Sequence, residues 1–206
     1  MTRYGMAIDL KRCIGCHTCA IACKVANNMP ENMNYSWVET VGGDAIDTAS
    51  GTFPQCTMSY HPMQCQHCES PACMANCSSG ATQQREDGIV WIDYELCIGC
   101  GSCVEACPYD GVRTTITEEP SYYLDMQVGE ADAPPHKVST TEKCNFCYNL
   151  IDRGEVPACM QLCPGRARYW GDLDDPESEI SKAIEGREYV FMNEDAGTKP
   201  KVYYLQ

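Results

Sequence analysis

The sequence predicts an α+β chain folded as small repeated modules around metal clusters, and three observations carry that expectation. Cysteine occurs 17 times in 206 residues, far more sulfur than packing needs in a chain too long to require disulfide staples. Sixteen of those cysteines fall into four runs of four, within residues 13–23, 65–77, 97–107 and 144–163. Short alternating segments lead into the first and third runs, so a unit of strand, Cys loop, short helix and strand recurs along the chain. With only three Phe and 21% charged residues, something other than a large apolar core must organise such a fold.

Residues 3–9 place Tyr4, Met6 and Ile8 on one side and predict a short strand. Behind it, Cys13, Cys16, Cys19 and Cys23 stand as C-x2-C-x2-C-x3-C, the spacing by which three thiolates wrap a cubane [4Fe-4S] cluster and a fourth reaches a second one. A loop with this spacing can curl round one cube with its backbone N–H groups turned to the sulfides. Cys23, a helical turn beyond Cys19, lies too far round to close the same cube. A short helix is expected from Cys19 to Val25.

Residues 30–60 are polar, with Gly42-Gly43, Gly51 and Pro54, and read as loop with one strand at 36–41. The second run, Cys65, Cys68, Cys73 and Cys77, is C-x2-C-x4-C-x3-C. A hairpin over 81–93 turns at Asp87-Gly88, and the third run, Cys97, Cys100, Cys103 and Cys107, repeats the first. A strand is expected at 112–116 and a surface excursion at 118–141. The fourth run is Cys144, Cys147, Cys159 and Cys163. A strand at 168–170, a helix at 174–185 and a largely extended tail complete the chain.

Rival metal chemistries explain less. Structural zinc pairs two C-x2-C knuckles and has no use for the third and fourth cysteines of each run. Cys13-Ile-Gly-Cys16-His17 also fits the haem attachment pattern, but haem would leave Cys19 and Cys23 idle, and Gly101 stands where the matching third run would need its His. His17 reads as exposed or as a neighbour of a cluster, and His67 as packing or as a hydrogen-bond donor that tunes one. His61 and His136 carry no signal. Trp91 and Trp170 read as core fill. Lys11, Arg12, Lys24, Lys143 and Arg166 flank the Cys loops; their positive charge could raise a nearby cluster's potential, and surface charge is the commoner reading. Cys56, the one cysteine left over, reads as a small buried or half-buried thiol.

The net charge of −14 argues against a nucleic-acid partner, which would want a basic stripe. No run of 18 apolar residues is present and the N-terminus has neither an apolar signal core nor a twin-Arg motif. A chain without a membrane span is expected, either cytoplasmic or exported folded beside a partner that carries the signal. There is no G-x-G-x-x-G, no P-loop and no nucleophile motif, and no catalytic residue is expected.

In two-cluster ferredoxins the fourth Cys of one run binds the cluster of the other, so four runs make two ferredoxin-like modules. The second and third runs are adjacent, which leaves the first and fourth to pair around them. Cluster one then takes Cys13, Cys16, Cys19 and Cys163. Cluster four takes Cys144, Cys147, Cys159 and Cys23. In the inner module Cys65, Cys68, Cys73 and Cys107 hold cluster two, and Cys97, Cys100, Cys103 and Cys77 hold cluster three. The expected fold is two such modules, pseudo-twofold related, with extended loops and a C-terminal tail. The outer module takes residues 1–30 and 140–173 and the inner one 60–117. Residues 31–59 and 118–139 are insertions, and 174–206 a helix and tail for subunit docking.

The four runs in this order, with Cys65-Gln-His-Cys68, Arg85-Glu-Asp-Gly-Ile-Val, Cys107-Pro-Tyr, Lys143-Cys-Asn-Phe-Cys and Cys163-Pro, resemble the four-cluster iron-sulfur subunit of the dimethyl sulfoxide reductase family of molybdenum enzymes. The resemblance spans nearly the whole chain. It implies the same nested sharing of ligands and a partner subunit carrying a bis-molybdopterin guanine dinucleotide cofactor. It further implies single-electron traffic between that cofactor and a quinol or ferredoxin donor, with or without a membrane anchor subunit. Thr141-Glu-Lys-Cys, Gly171-Asp-Leu-Asp-Asp-Pro-Glu-Ser and Gly197-Thr-Lys-Pro-Lys-Val-Tyr-Tyr look most like the small subunits of respiratory arsenate reductases and of catechol dehydroxylases and pyrogallol transhydroxylases. The implied substrate is a small oxidised compound such as a catechol, arsenate or an S- or N-oxide. Ser78 departs from the pattern, which has Pro after the last Cys of the second run. A stand-alone soluble polyferredoxin serving several enzymes is the alternative expectation.

Overall fold

The computed structural model describes residues 2–206. The first predicted strand is β1 (Tyr4–Asp9), and the first Cys loop delivers α1 (Thr18–Ala26). Strands β2 (Ser36–Val41), β3 (Ser50–Thr52), β4 (Gln55–Thr57) and β5 (Ser59–Gln64) precede the second run. Helix α2 (Ala72–Ala75), the hairpin β6 (Thr82–Gln84) and β7 (Val90–Ile92), α3 (Ser102–Glu105) and β8 (Arg113–Thr115) form the centre of the chain. Around the fourth run lie β9 (Thr141–Lys143), α4 (Tyr148–Ile151), α5 (Ala158–Gln161) and β10 (Arg168–Asp172). The chain ends with α6 (Glu179–Ile184), β11 (Tyr189–Val190) and β12 (Val202–Leu205).

One sheet has four strands, in the order β10-β1-β12-β11, and the other four sheets are two-stranded ribbons. Strand β1 is central. It pairs antiparallel with β10, Met6 opposite Trp170, and parallel with β12, Met6 opposite Val202. Covered on both faces, it buries Met6, Ala7 and Ile8 alike instead of alternating. The helices that carry cysteines meet in pairs, α1 against α5 and α2 against α3.

Four expectations need correction. Residues 30–60 are richer in strand than their composition predicts, because β5 pairs with β2 along its length and places Pro62 opposite Val38. A ribbon with no further strand beside it tolerates the N–H that proline lacks. Cys56 is exposed, since β4 pairs only with β3 in a hairpin that has no core beneath it. The expected surface excursion ends one residue early, because Thr141 opens the unpredicted strand β9, whose polar residues Thr141, Glu142 and Lys143 are all buried. Helix α6 starts five residues later than the acidic stretch suggests, where the Ser178 hydroxyl accepts the Ser181 N–H at 3.2 Å as its N-cap.

The last strand ties the parts together. Tyr204 is fully buried; its hydroxyl donates to the Pro62 carbonyl at 3.0 Å and accepts from the Gln66 amide at 3.2 Å. Tyr204→Phe should cost about 1 kcal/mol, the net worth of such a bond. Tyr204→Ala should cost roughly 3–5 kcal/mol through the cavity it leaves. Anaerobic thermal unfolding should rank the two variants in that order.

A second tie is a buried carboxylate. Glu142 accepts from the hydroxyls of Tyr35 and Tyr94 and lies 3.3 Å from the His136 ring. The other ring nitrogen of His136 sits 2.9 Å from the Asn27 carbonyl. Burial opposes the imidazolium, but the Glu142 carboxylate and the Asn27 carbonyl outweigh it and raise the His136 pKa. The stabilisation from this pair is therefore full below the unfolded value of roughly 6.5 and disappears as pH rises through the higher folded value. The unfolding temperature should fall on that rise in the native chain, and His136→Gln should flatten that part of the profile.

Candidate metal centres

Each Cys loop bends at the same place. The residue just before the second cysteine of each run has a positive φ: Gly15 at 67°, His67 at 44°, Gly99 at 64° and Phe146 at 55°. Glycine adopts this conformation without steric cost, whereas His67 and Phe146 carry strain that packing must offset. Their rings are stacked on each other, 3.6 Å between centroids and 11° between planes, with both residues fully enclosed. The turn lets the first two cysteines face the same point. The third, Cys19, Cys73, Cys103 or Cys159, then lies on the short helix that follows, and Cys77, Cys107 and Cys163 lie just past a helix end.

Two of the resulting hollows are well bounded. Cys13, Cys16, Cys19 and Cys163 line one hollow, bordered by Ile8, Pro164 and Arg168. Cys65, Cys68, Cys73 and Cys107 line a second, bordered by Val90, Tyr109 and Arg113. Elsewhere Cys23 is surrounded by Cys147, Cys144 and Cys159, whose charges all act on it. Cys77 lies within reach of Cys100, while Cys103 sits on Val90 and Val104 beside Cys73. In each module the helix pairing brings the last cysteine of one run to the other run. Cys56 joins none of these groups.

The donor set, thiolates alone and drawn from two runs in each group, suits a [4Fe-4S] cube. Burial, together with neighbouring sulfurs, pushes the Cys23 and Cys144 thiols far up and Cys107 and Cys147 to about 12. Such thiols ionise only if a bound centre supplies positive charge. Backbone N–H groups already point at sulfur, from Thr82 to Cys77 and from Thr141 to Cys97 at 3.3 Å, and from Ala167 to Cys163 at 3.4 Å. At Cys77 burial raises the pKa, but the N–H and hydroxyl donors of Ser79, Ala81 and Thr82 outweigh it and bring the thiol to about 7. The absence of Pro after Cys77 is thus matched by a local donor set around its sulfur.

Sequence reasoning missed the cations of the interior. Arg113, Lys143, Arg168 and Lys201 are all buried, although Lys143 reads as surface charge in the sequence. The signal was available for the arginines. Arg113 and Arg168 stand six and five residues beyond the last cysteines of their runs, Cys107 and Cys163, each in a short strand that returns to the core. His67 is a buried neutral ring: burial, with Lys143, Lys201 and Arg113 nearby, holds its pKa well below the usual range. Its Nδ1 accepts the Val90 N–H at 3.1 Å.

Comparison with known proteins gives the same chemistry. Residues 56–126 and 131–173 match the 4Fe-4S dicluster domain family, and residues 10–26 match a 4Fe-4S binding domain family, so that all four runs are covered. A dimethyl sulfoxide reductase iron-sulfur subunit from Halobacterium salinarum is 42% identical over all of this chain and 79% of its own length. A selenate reductase subunit of Mesobacillus selenatarsenatis is 38% identical, over 98% of this chain and 72% of its own. The arsenate respiratory reductase iron-sulfur subunit of a Shewanella species is 34% identical, over 99% and 96% respectively. The chain belongs to this family of [4Fe-4S] electron-transfer subunits of molybdopterin reductases.

Proposed function

We propose that this chain conducts single electrons through four [4Fe-4S] clusters held in the nested arrangement, to or from a catalytic subunit that carries bis-molybdopterin guanine dinucleotide. Cys13, Cys16, Cys19 and Cys163 would hold one terminal cluster, and Cys97, Cys100, Cys103 and Cys77 the other. Between them Cys144, Cys147, Cys159 and Cys23, then Cys65, Cys68, Cys73 and Cys107, would hold the two inner members of the line. When bound, each cluster supplies a one-electron couple.

The observation that carries the proposal is the cavity in which Cys163, from the far end of the chain, stands with the three leading cysteines of the first run. Adjacency along the line has its own support: Cys19 packs in one apolar cluster with Cys159, the charge of Cys65 acts on Cys144, and Cys73 packs with Cys103. The protein keeps each junction dry with Val38, Ile89, Phe146 and Val90, all buried, and low-dielectric surroundings strengthen every charge interaction inside. The equivalent turns at Gly15, Gly99, His67 and Phe146 support a pseudo-twofold relation of the modules, with the His67–Phe146 stack at their junction.

For the complex, the names of the relatives point to a small oxidised substrate of the sulfoxide, selenate or arsenate kind, and catechols fit the same class. No helix among the described residues is long and apolar enough to cross a membrane. Residues 174–206 would contribute to docking through their exposed parts, such as Tyr189 and Val190.

Cys23→Ser tests the sharing. EPR should show damage to the cluster of Cys144, Cys147 and Cys159, with that of Cys13, Cys16 and Cys19 preserved; loss of the latter instead would overturn the nested pairing. Purification from the native source tests the partnership. A large molybdenum subunit should co-elute, and a chain that elutes alone would refute it in favour of a free polyferredoxin.

A further inference from the structure

Three buried cations each lie near sulfurs of two different runs. The Arg113 guanidinium donates from Nη2 to Cys73 Sγ at 2.9 Å, and its Nε and Nη1 have no hydrogen-bond partner. Burial lowers its pKa, but the nearby sulfurs of Cys73, Cys65, Cys103 and Cys107 outweigh it, which places it between the second and third runs. Arg168 holds the corresponding place in the outer module. Its Nη1 donates to the Gln64 side chain and lies 3.2 Å from Met6 Sδ and 3.8 Å from Cys159 Sγ. Nη2 has no partner, and Cys159 and Cys19 supply the charges that face it. Lys143 stands at the junction of the two modules; burial, with Arg113 opposite, lowers its pKa, and the nearby sulfurs of Cys65, Cys144 and Cys73 act against that lowering. Its ammonium donates only to the carbonyls of Val90 and Cys144.

No carboxylate balances these groups. Among the described residues none of the three forms an ion pair with Asp or Glu. Arg113 and Lys143 are moreover directly opposite each other in the β8–β9 ribbon, where like charges repel. Two cations facing each other across a dry ribbon are stable only with anions between and around them. The thiolates, with the net negative charge of the bound clusters, are the anions within reach.

We propose that Arg168, Lys143 and Arg113 are potential-setting positioning residues, one cation at each of the three cluster-to-cluster junctions. Each favours the added negative charge when an electron arrives on either side of its junction, so that neighbouring clusters become easier to reduce together. The inference rests on the ligand sharing proposed above. Surface acidity acts in the opposite sense but is screened by salt, whereas the buried cations are not.

Redox titration of the holoprotein with dithionite, followed by EPR, reads the effect directly. Arg113→Gln should make the clusters of the second and third runs harder to reduce, by about tenfold in reduced-to-oxidised ratio at fixed potential, or ~59 mV for a one-electron couple. The first- and fourth-run clusters should move much less. Arg168→Gln should reverse that pattern, and Arg113→Lys and Arg168→Lys should return most of the shift. Unshifted potentials in Gln variants that retain full iron overturn the proposal, as does a uniform shift of all clusters. If a Gln variant loses iron, its Lys counterpart decides. Retained clusters at native potentials uphold the role of charge; lost iron or potentials displaced as far as by charge removal refute it. A native protein without the expected cluster signals would instead defeat the ligand sharing.

Discussion

Sulfur buried in place of hydrocarbon is the constraint on which this fold depends. Cys19, Cys23, Cys65, Cys68, Cys73, Cys103, Cys147 and Cys159 are core residues by exposure, interleaved with Met6, Ile8, Val38, Phe146 and Tyr204. The helices that present them are mostly a single turn long and could not persist alone. Iron–sulfur bonds must therefore contribute much of what a larger apolar core would contribute, and metal loading and folding are one equilibrium. This accounts for short ribbons and single-turn helices in a chain of 206 residues, and for a closing sheet that draws β12 in beside β1.

The distribution of charge follows from the same constraint. The exterior is acidic, with a net charge of −14, yet the interior holds Arg113, Lys143 and Arg168 without carboxylate partners. Glu142, a carboxylate buried beside Lys143 in β9, is turned to Tyr35, Tyr94 and His136. Cations thus face the sulfurs, and the buried acid faces hydroxyls and the His136 ring. Electron transfer requires that arrangement to stay fixed while charge arrives and leaves, and β8, β9 and β10 fix it by carrying the cations on paired backbone.

The four cysteine runs were legible because ligand spacing is a local property of sequence. Cys13 to Cys23 and Cys97 to Cys107 announce a cube, and adjacency of runs was enough to expect Cys163 beside Cys13. What escaped was set by tertiary contact. Lys143 follows a polar stretch and reads as surface until β8 pairs with its strand. Arg113 and Arg168 stand at nearly the same distance beyond the last cysteines of their runs, but only the return of their strands to the sulfurs gives that spacing a meaning. Cys56 erred in the other direction: an apolar residue type suggested burial, but its hairpin has nothing to pack against. His67 and Phe146 show why the loops could be placed and their contents could not. The left-handed turn belongs to the C-x2-C spacing, whereas the stack of the two rings depends on two runs meeting across the molecule.

The central claim is that sixteen cysteines hold four cubes, and iron, acid-labile sulfide and zinc in the anaerobically purified chain measure it most directly. The account predicts about 16 irons and about 16 sulfides per chain with negligible zinc. Stoichiometric zinc, or iron without sulfide, would contradict it.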